Sequence, residues 1–223
     1  MKHLQFHFDV VSPYAYLAFE RLPQALEGLS VEVSYRPLLF AGLLAHWGQK
    51  GPAEIEPKRA WTYRQVAWLA HEQGVALDLP ARHPFNPLAL QRLALACAPA
   101  GATPSRRVCE RLFRHVWLGG GDAEDPARLQ ALRESLAPRR DPAGAEVKDE
   151  LRAATAQAAD RGLFGVPTVE VDGRLFWGLD GLSMLGAYLR GDAWFEGPAW
   201  RDAGERPQGV VRPQTRDGGP RSG

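Results

Sequence analysis

Apolar and polar residues alternate with period two over Leu4-Gln5-Phe6-His7-Phe8 and again over Val31 to Tyr35, which predicts a strand at each place. Between them Tyr14 to Leu26 has helical spacing, with Tyr14, Leu17, Ala18, Leu22 and Leu26 on one face and Pro23 positioned to kink or shorten the helix. Strand, helix and strand in about thirty residues make a βαβ unit, whose crossover is right-handed. After Phe40 the period changes. Trp61 to Gln73 reads as a helix closed by Gly74. Asn86-Pro87, Thr103-Pro104 and Asp125-Pro126 each place a capping residue and a proline ahead of an apolar-periodic run. Another helix is expected from Ala145 to Arg161, stopping at Gly162, and from about Phe40 to Ala145 no run reads as a strand. Alternation returns in Thr168 to Val171 and Arg174 to Trp177, joined by Asp172-Gly173. That pair predicts a type I′ hairpin, because both central positions need positive φ. A last helix is expected over Gly181 to Leu189, opened by Asp180.

The order βαβ, helices, then ββα is the thioredoxin pattern. It predicts an α/β fold, a thioredoxin-like mixed sheet with an inserted all-helical domain. The expected boundaries are 1–39 and 160–193 for the discontinuous thioredoxin-like domain and 40–159 for the insertion. Residues 197–223 are rich in glycine, proline and arginine, and are expected to form a disordered tail.

Composition narrows the function. The 223 residues are 45% hydrophobic, enough for a sizeable core, and 27 basic residues against 26 acidic ones leave a net charge of +1. That balance argues against a nucleic-acid partner. No apolar run approaches the roughly 20 residues of a membrane span, and the N-terminus lacks a secretory pattern, so a soluble cytoplasmic protein is expected. Cys97 and Cys109 have the spacing of neither a redox pair nor a zinc clamp and read as buried free thiols. Six histidines without ligand spacing argue against a metal. Gly119-Gly120-Gly121-Asp122 lacks the lysine and hydroxyl of a phosphate loop and reads as a helix connection. Trp61 and Trp68 read as core packing of one helix face.

The candidate chemistry sits where the first strand enters the first helix. In many thiol enzymes that junction carries Cys-x-x-Cys; here it reads Ser12-Pro13-Tyr14-Ala15. Backbone N–H groups and the helix dipole at such a junction favour an anion, a thiolate among them. With no cysteine in the chain there, a bound thiol would have to bring the sulfur. Ser12 is also a plain N-cap ahead of Pro13. A second motif, Gly165-Val166-Pro167-Thr168, stands before the hairpin.

FDVVSPYAYLA and FGVPTVEVDGRLFWGLDGLSML together resemble the 2-hydroxychromene-2-carboxylate isomerase family, in the DsbA-like, kappa-class glutathione transferase group. The likeness follows the chain over about residues 1 to 195. It implies that glutathione is the cofactor, with Ser12 catalytic and facing its sulfur. It implies a cis bond at Val166-Pro167, with Val166 pairing the extended tripeptide as an added strand. It further implies that Trp177, Gly178, Leu179 and Asp180 contact the γ-glutamyl end, Asp180 accepting from the ammonium. The implied reaction isomerises an unsaturated aromatic keto acid; a kappa-type transferase and a non-catalytic glutathione-binding module are the alternatives. Family members are often homodimers. Two departures stand out. Gly181 replaces an arginine that often follows the aspartate. The lysine that reaches the substrate carboxylate in the isomerases falls near Leu44, with only His46 and Lys50 nearby. A later asparagine and tyrosine are likewise absent, His83 and Asn86 occupying their region, where His83 reads as solvated and Asn86 as a cap.

Overall fold

Strand β1 (Lys2–Phe8) is the axis of a four-stranded sheet in this computed structural model, which describes residues 1–207 and 209–210. Helix α1 (Pro13–Ala25) carries the chain to β2 (Val31–Pro37), which pairs parallel with β1 in the register Phe6 to Tyr35. On the other side of β1 lies β3 (Thr168–Val171), antiparallel with Phe6 opposite Val169, and β4 (Arg174–Trp177) closes the order β2-β1-β3-β4. The hairpin turn has φ +51° at Asp172 and +73° at Gly173, the two positive angles that the Asp-Gly pair predicts. The fold is therefore the expected thioredoxin-like α/β arrangement with a mixed sheet.

Residues between β2 and β3 are helical: α2 (Phe40–Trp47), α3 (Glu56–Gln73), α4 (Leu88–Ala96), α5 (Arg106–Trp117), α6 (Pro126–Leu136) and α7 (Ala145–Asp160). Helix α8 (Gly181–Leu189) follows the hairpin. Residues Met1–Gly186 form one compact unit, which holds the sheet and these inserted helices together, and the described residues from Ala187 onward form a second.

The core of the first unit is aromatic. Phe19 of α1 lies 5.0 Å, centroid to centroid, from Phe113 of α5, and Phe8 lies 5.2 Å from the same ring. A second cluster joins Leu38, Leu43 of α2, Ala158 and Ala159 of α7, Leu163 and Val166, so the packing of two helices reaches the second motif directly. His7, on the strand face opposite Phe6 and Phe8, is also buried and meets the Glu170 carboxylate at 3.1 Å.

Several local expectations shift. Pro23 does not end α1: its missing N–H frees the Phe19 carbonyl, and the Arg106 guanidinium donates to that oxygen at 3.2 Å. Helix α3 begins five residues before Trp61, at Glu56. Helix α4 starts at Leu88, after Pro87, with Asn86 Oδ1 accepting from the Leu88 N–H at 3.1 Å. Ser105, not Thr103, caps α5, while Asp125 caps α6 as expected. Trp61 and Trp68 are not core: they are 62% and 60% exposed, while Thr62, Val66 and Ala70 form the buried face of their helix. The tail is also not wholly without structure. Helix α9 (Pro198–Gly204) lies in it, and Trp200 stacks within 5.2 Å of Phe195 and 5.7 Å of Trp194, apolar contacts that a glycine- and proline-weighted reading overlooks. The rest of the expected disordered tail, residue 208 and residues 211–223, lies outside the described residues.

Candidate active site

The loop Asp9–Ser12 is fixed atom by atom. Asp9 is fully buried, and its carboxylate accepts the Val11 N–H at 3.1 Å and the Phe40 N–H at 2.9 Å. Burial pushes its pKa up to about 7, against the pull of those two amides. The Asp9 carbonyl accepts the Ser12 N–H at 3.0 Å. From the helical region, Trp117 Nε1 donates to the Val10 carbonyl at 2.9 Å. His83 Nε2 meets the Val11 carbonyl at 2.7 Å.

Ser12 opens α1. Its Oγ accepts the Ala15 N–H at 3.2 Å, so the capping role is real, and its hydroxyl hydrogen points to the Val166 carbonyl at 3.4 Å. Ser12 and Val166 are each 6% exposed, so the contact lies just beneath the surface. At 3.4 Å the bond is long and weak, which leaves the hydroxyl free to turn toward another acceptor at little cost.

Val166-Pro167 is cis, as expected. The Pro167 carbonyl accepts the Gly178 N–H at 2.9 Å, which ties the end of β4 to this bend. Trp177 is 52% exposed, lies 5.0 Å from the Phe164 ring and covers Gly165, where a Cβ would come within 2.6 Å of the indole nitrogen. Thus Ser12, Val166, Pro167, Trp177 and Gly178 are joined by direct contacts. Leu179 and Asp180 follow at the head of α8, Asp180 exposed. The phenol of Tyr14 is held above its ordinary range, first by burial and further by the charge of Asp180. Gly181 is closely overlain, since a Cβ there would stand 3.2 Å from the Phe176 carbonyl carbon.

The substrate-side positions are less tightly drawn. Leu44 is half-buried, whereas His46 and Lys50 are exposed at and beyond the end of α2. Asn86 is exposed. His83 is not simply solvated: it is half-buried between Tyr63, Phe85 and Trp117, and burial lowers its pKa. A cleft of about 410 Å³ opens beside it, between Tyr63 and the segment Leu79 to Pro84. Sequence reasoning missed Asp9, Trp117, Tyr63 and the role of His83. Asp9 carried a signal, an acid inside an otherwise apolar run; the other three are brought to the loop by packing alone. Among the described residues no cluster of histidine, cysteine and carboxylate could hold a metal ion, and no helix is long and apolar enough to cross a membrane.

Comparison with known proteins gives the family and the fold. Residues 3–190 match the model of the DsbA-like thioredoxin domain family. A 2-hydroxychromene-2-carboxylate isomerase of Sphingobium xenophagum is 30% identical over 201 residues, covering 84% of this chain and 98% of the relative. Glutathione S-transferase kappa 1 of Rattus norvegicus is 26% identical over 208 residues, covering 86% and 92%. A solved 2-hydroxychromene-2-carboxylate isomerase superposes with a TM-score of 0.73 at 21% identity, over 91% of this chain and 98% of that one, a likeness of fold. By the domain match and by an identity that runs through nearly the whole of a relative, this chain belongs to the DsbA-like thioredoxin-domain family, in the group of the 2-hydroxychromene-2-carboxylate isomerases and kappa-class glutathione transferases.

Proposed function

We propose that the protein is a glutathione-dependent isomerase of an unsaturated aromatic keto acid of the 2-hydroxychromene-2-carboxylate type. The observation that carries this reading is the placement of Ser12 Oγ at the N-terminus of α1, 3.4 Å from the carbonyl of the cis-proline bend, at a junction with no cysteine. The residues present fit the tripeptide. A serine hydroxyl and a helix N-terminus suit an anionic sulfur. An exposed carboxylate at Asp180 suits the ammonium. Cys97 is half-buried and Cys109 buried, and burial raises both thiols, so neither is an activated nucleophile.

Bound glutathione would supply a thiolate able to add to the conjugated carbon and leave again, so that the double bond is single long enough to rotate. Ser12 would turn its hydroxyl from Val166 toward the sulfur while keeping its cap on Ala15. Val166 and the end of β4 would orient the peptide, and Asp180 its amino end. The supporting comparisons are the isomerase and transferase relatives, which match 84% and 86% of this chain.

The test is turnover of a cis-configured hydroxychromene carboxylate with isotope-labelled glutathione. Isomerised product free of label, and a loss of about 10²- to 10³-fold in kcat for Ser12→Ala, support the reading. Label retained in the product would instead make the protein a transferase. Tight glutathione binding with no turnover would make it a binding module.

A further inference from the structure

We propose that His83 is a positioning residue of this site, holding the Val11 carbonyl so that the next residue, Ser12, presents its hydroxyl at one place. The first ground is the hydrogen count. A carbonyl carries no hydrogen, so the 2.7 Å contact between His83 Nε2 and the Val11 oxygen needs the proton on Nε2. In the neutral ring Nδ1 is then an acceptor. The Tyr63 hydroxyl donates to the His83 carbonyl at 2.9 Å and stands 2.8 Å from Nδ1, its one hydrogen lying between two acceptors of the same residue. The Val11 carbonyl thus sets the tautomer, and Tyr63, touching both Nδ1 and the main chain of His83, steadies the plane of the ring.

The second ground is that the hold works from both sides of one residue. Val11 donates its N–H to Asp9 and gives its carbonyl to His83, and Trp117 takes the carbonyl just before it. The loop ahead of Ser12 is thus tied to the start of α2 by a carboxylate and to α3 and α5 by a histidine–tyrosine pair and an indole. The proton on Nε2 is committed to Val11 and Nδ1 faces the Tyr63 hydroxyl, so the part of the ring is placement. A misplacement of about 1 Å at a reacting group costs on the order of 10²-fold in rate. The consequence for catalysis rests on the reading that Ser12 faces a thiolate; the hold itself does not.

The test therefore has two readouts. Hydrogen–deuterium exchange over residues 9–16 in the protein without glutathione reports the hold. His83→Phe should speed exchange there by about tenfold or more, and His83→Gln, whose amide Nε2 can donate at nearly the same place, should restore it to within about threefold. Tyr63→Phe should fall between them and serves if His83→Phe does not fold. The second readout is the pKa of the glutathione thiol on the protein, followed by thiolate absorbance. It should rise in His83→Phe but not in His83→Gln, while affinity for S-methylglutathione changes by less than about threefold. Unchanged exchange in the folded Phe or Tyr63→Phe variants overturns the proposal. So does faster exchange with no shift in the bound thiol, which reduces His83 to a structural part. Faster exchange in a wild-type background that binds no glutathione leaves the hold standing and removes the proposed function instead.

Discussion

The candidate site has two sides, and they are held by different means. On the sheet side, main-chain groups dominate: Ser12 to Val166, Gly178 to Pro167, Ser12 to Asp9, with the strands in register behind them. On the helical side, the same loop is held by side chains that reach in from the inserted region, Trp117 at the end of α5 to Val10 and His83 in the connection between α3 and α4 to Val11. Asp9 joins the two by accepting from both Val11 and Phe40. The difference teaches where precision comes from. The strands set the loop down in roughly one place, and a few buried polar side chains then choose its conformation.

The sharpest way to strain this arrangement is to change the charge on Asp9. Its carboxyl titrates at about 7 in the fold against an ordinary 3.8, so the folded state prefers the protonated form. Stability from this group is full below the unfolded value, falls as pH rises from about 4, and is lost once pH has passed through about 7, by on the order of 4 kcal/mol at most. Denaturant midpoints measured from pH 4 to pH 8 should show that decline in the wild type and a flatter line in Asp9→Asn. The helical side alone is tested by Trp117→Phe, which keeps the ring packing but leaves the Val10 carbonyl without its indole donor. We expect a loss of about 1–3 kcal/mol in chemical denaturation. The sheet side alone is tested by Gly173→Ala at φ +73°, expected to cost about 1–2 kcal/mol by the same method. Smallest of all is Trp61→Ser, exposed and part of neither hold, expected to change stability by no more than about 0.5 kcal/mol.

The same division explains what could be read from the chain. Sheet elements were legible because their signals are local: the alternation of β1, the Asp-Gly turn, and the bounds of β3 and β4 follow from adjacent residues. Ser12 and Val166-Pro167 were legible by resemblance and by their place at element junctions. The helical side was not. Trp61 and Trp68 share a helix face, yet periodicity alone could not tell which face turns inward, and the smaller Thr62, Val66 and Ala70 are buried instead. Pro23 could be read as a helix end because nothing nearby announces that Arg106, far along the chain, will satisfy the freed carbonyl of Phe19. His83 and Trp117 reach the loop only after α3, α4 and α5 have packed, so no short-range pattern marks them.

The claim on which the functional reading depends is that Ser12 and the start of α1 stabilise a sulfur anion. Its most direct measurement is the pKa of glutathione bound to the wild-type protein and to Ser12→Ala, from thiolate absorbance across pH. The account predicts a bound thiol at least one pH unit below the roughly 8.5 of a free thiol, and recovery of most of that shift in the variant. The same pKa in both proteins, or a bound thiol no more acidic than the free one, would contradict it.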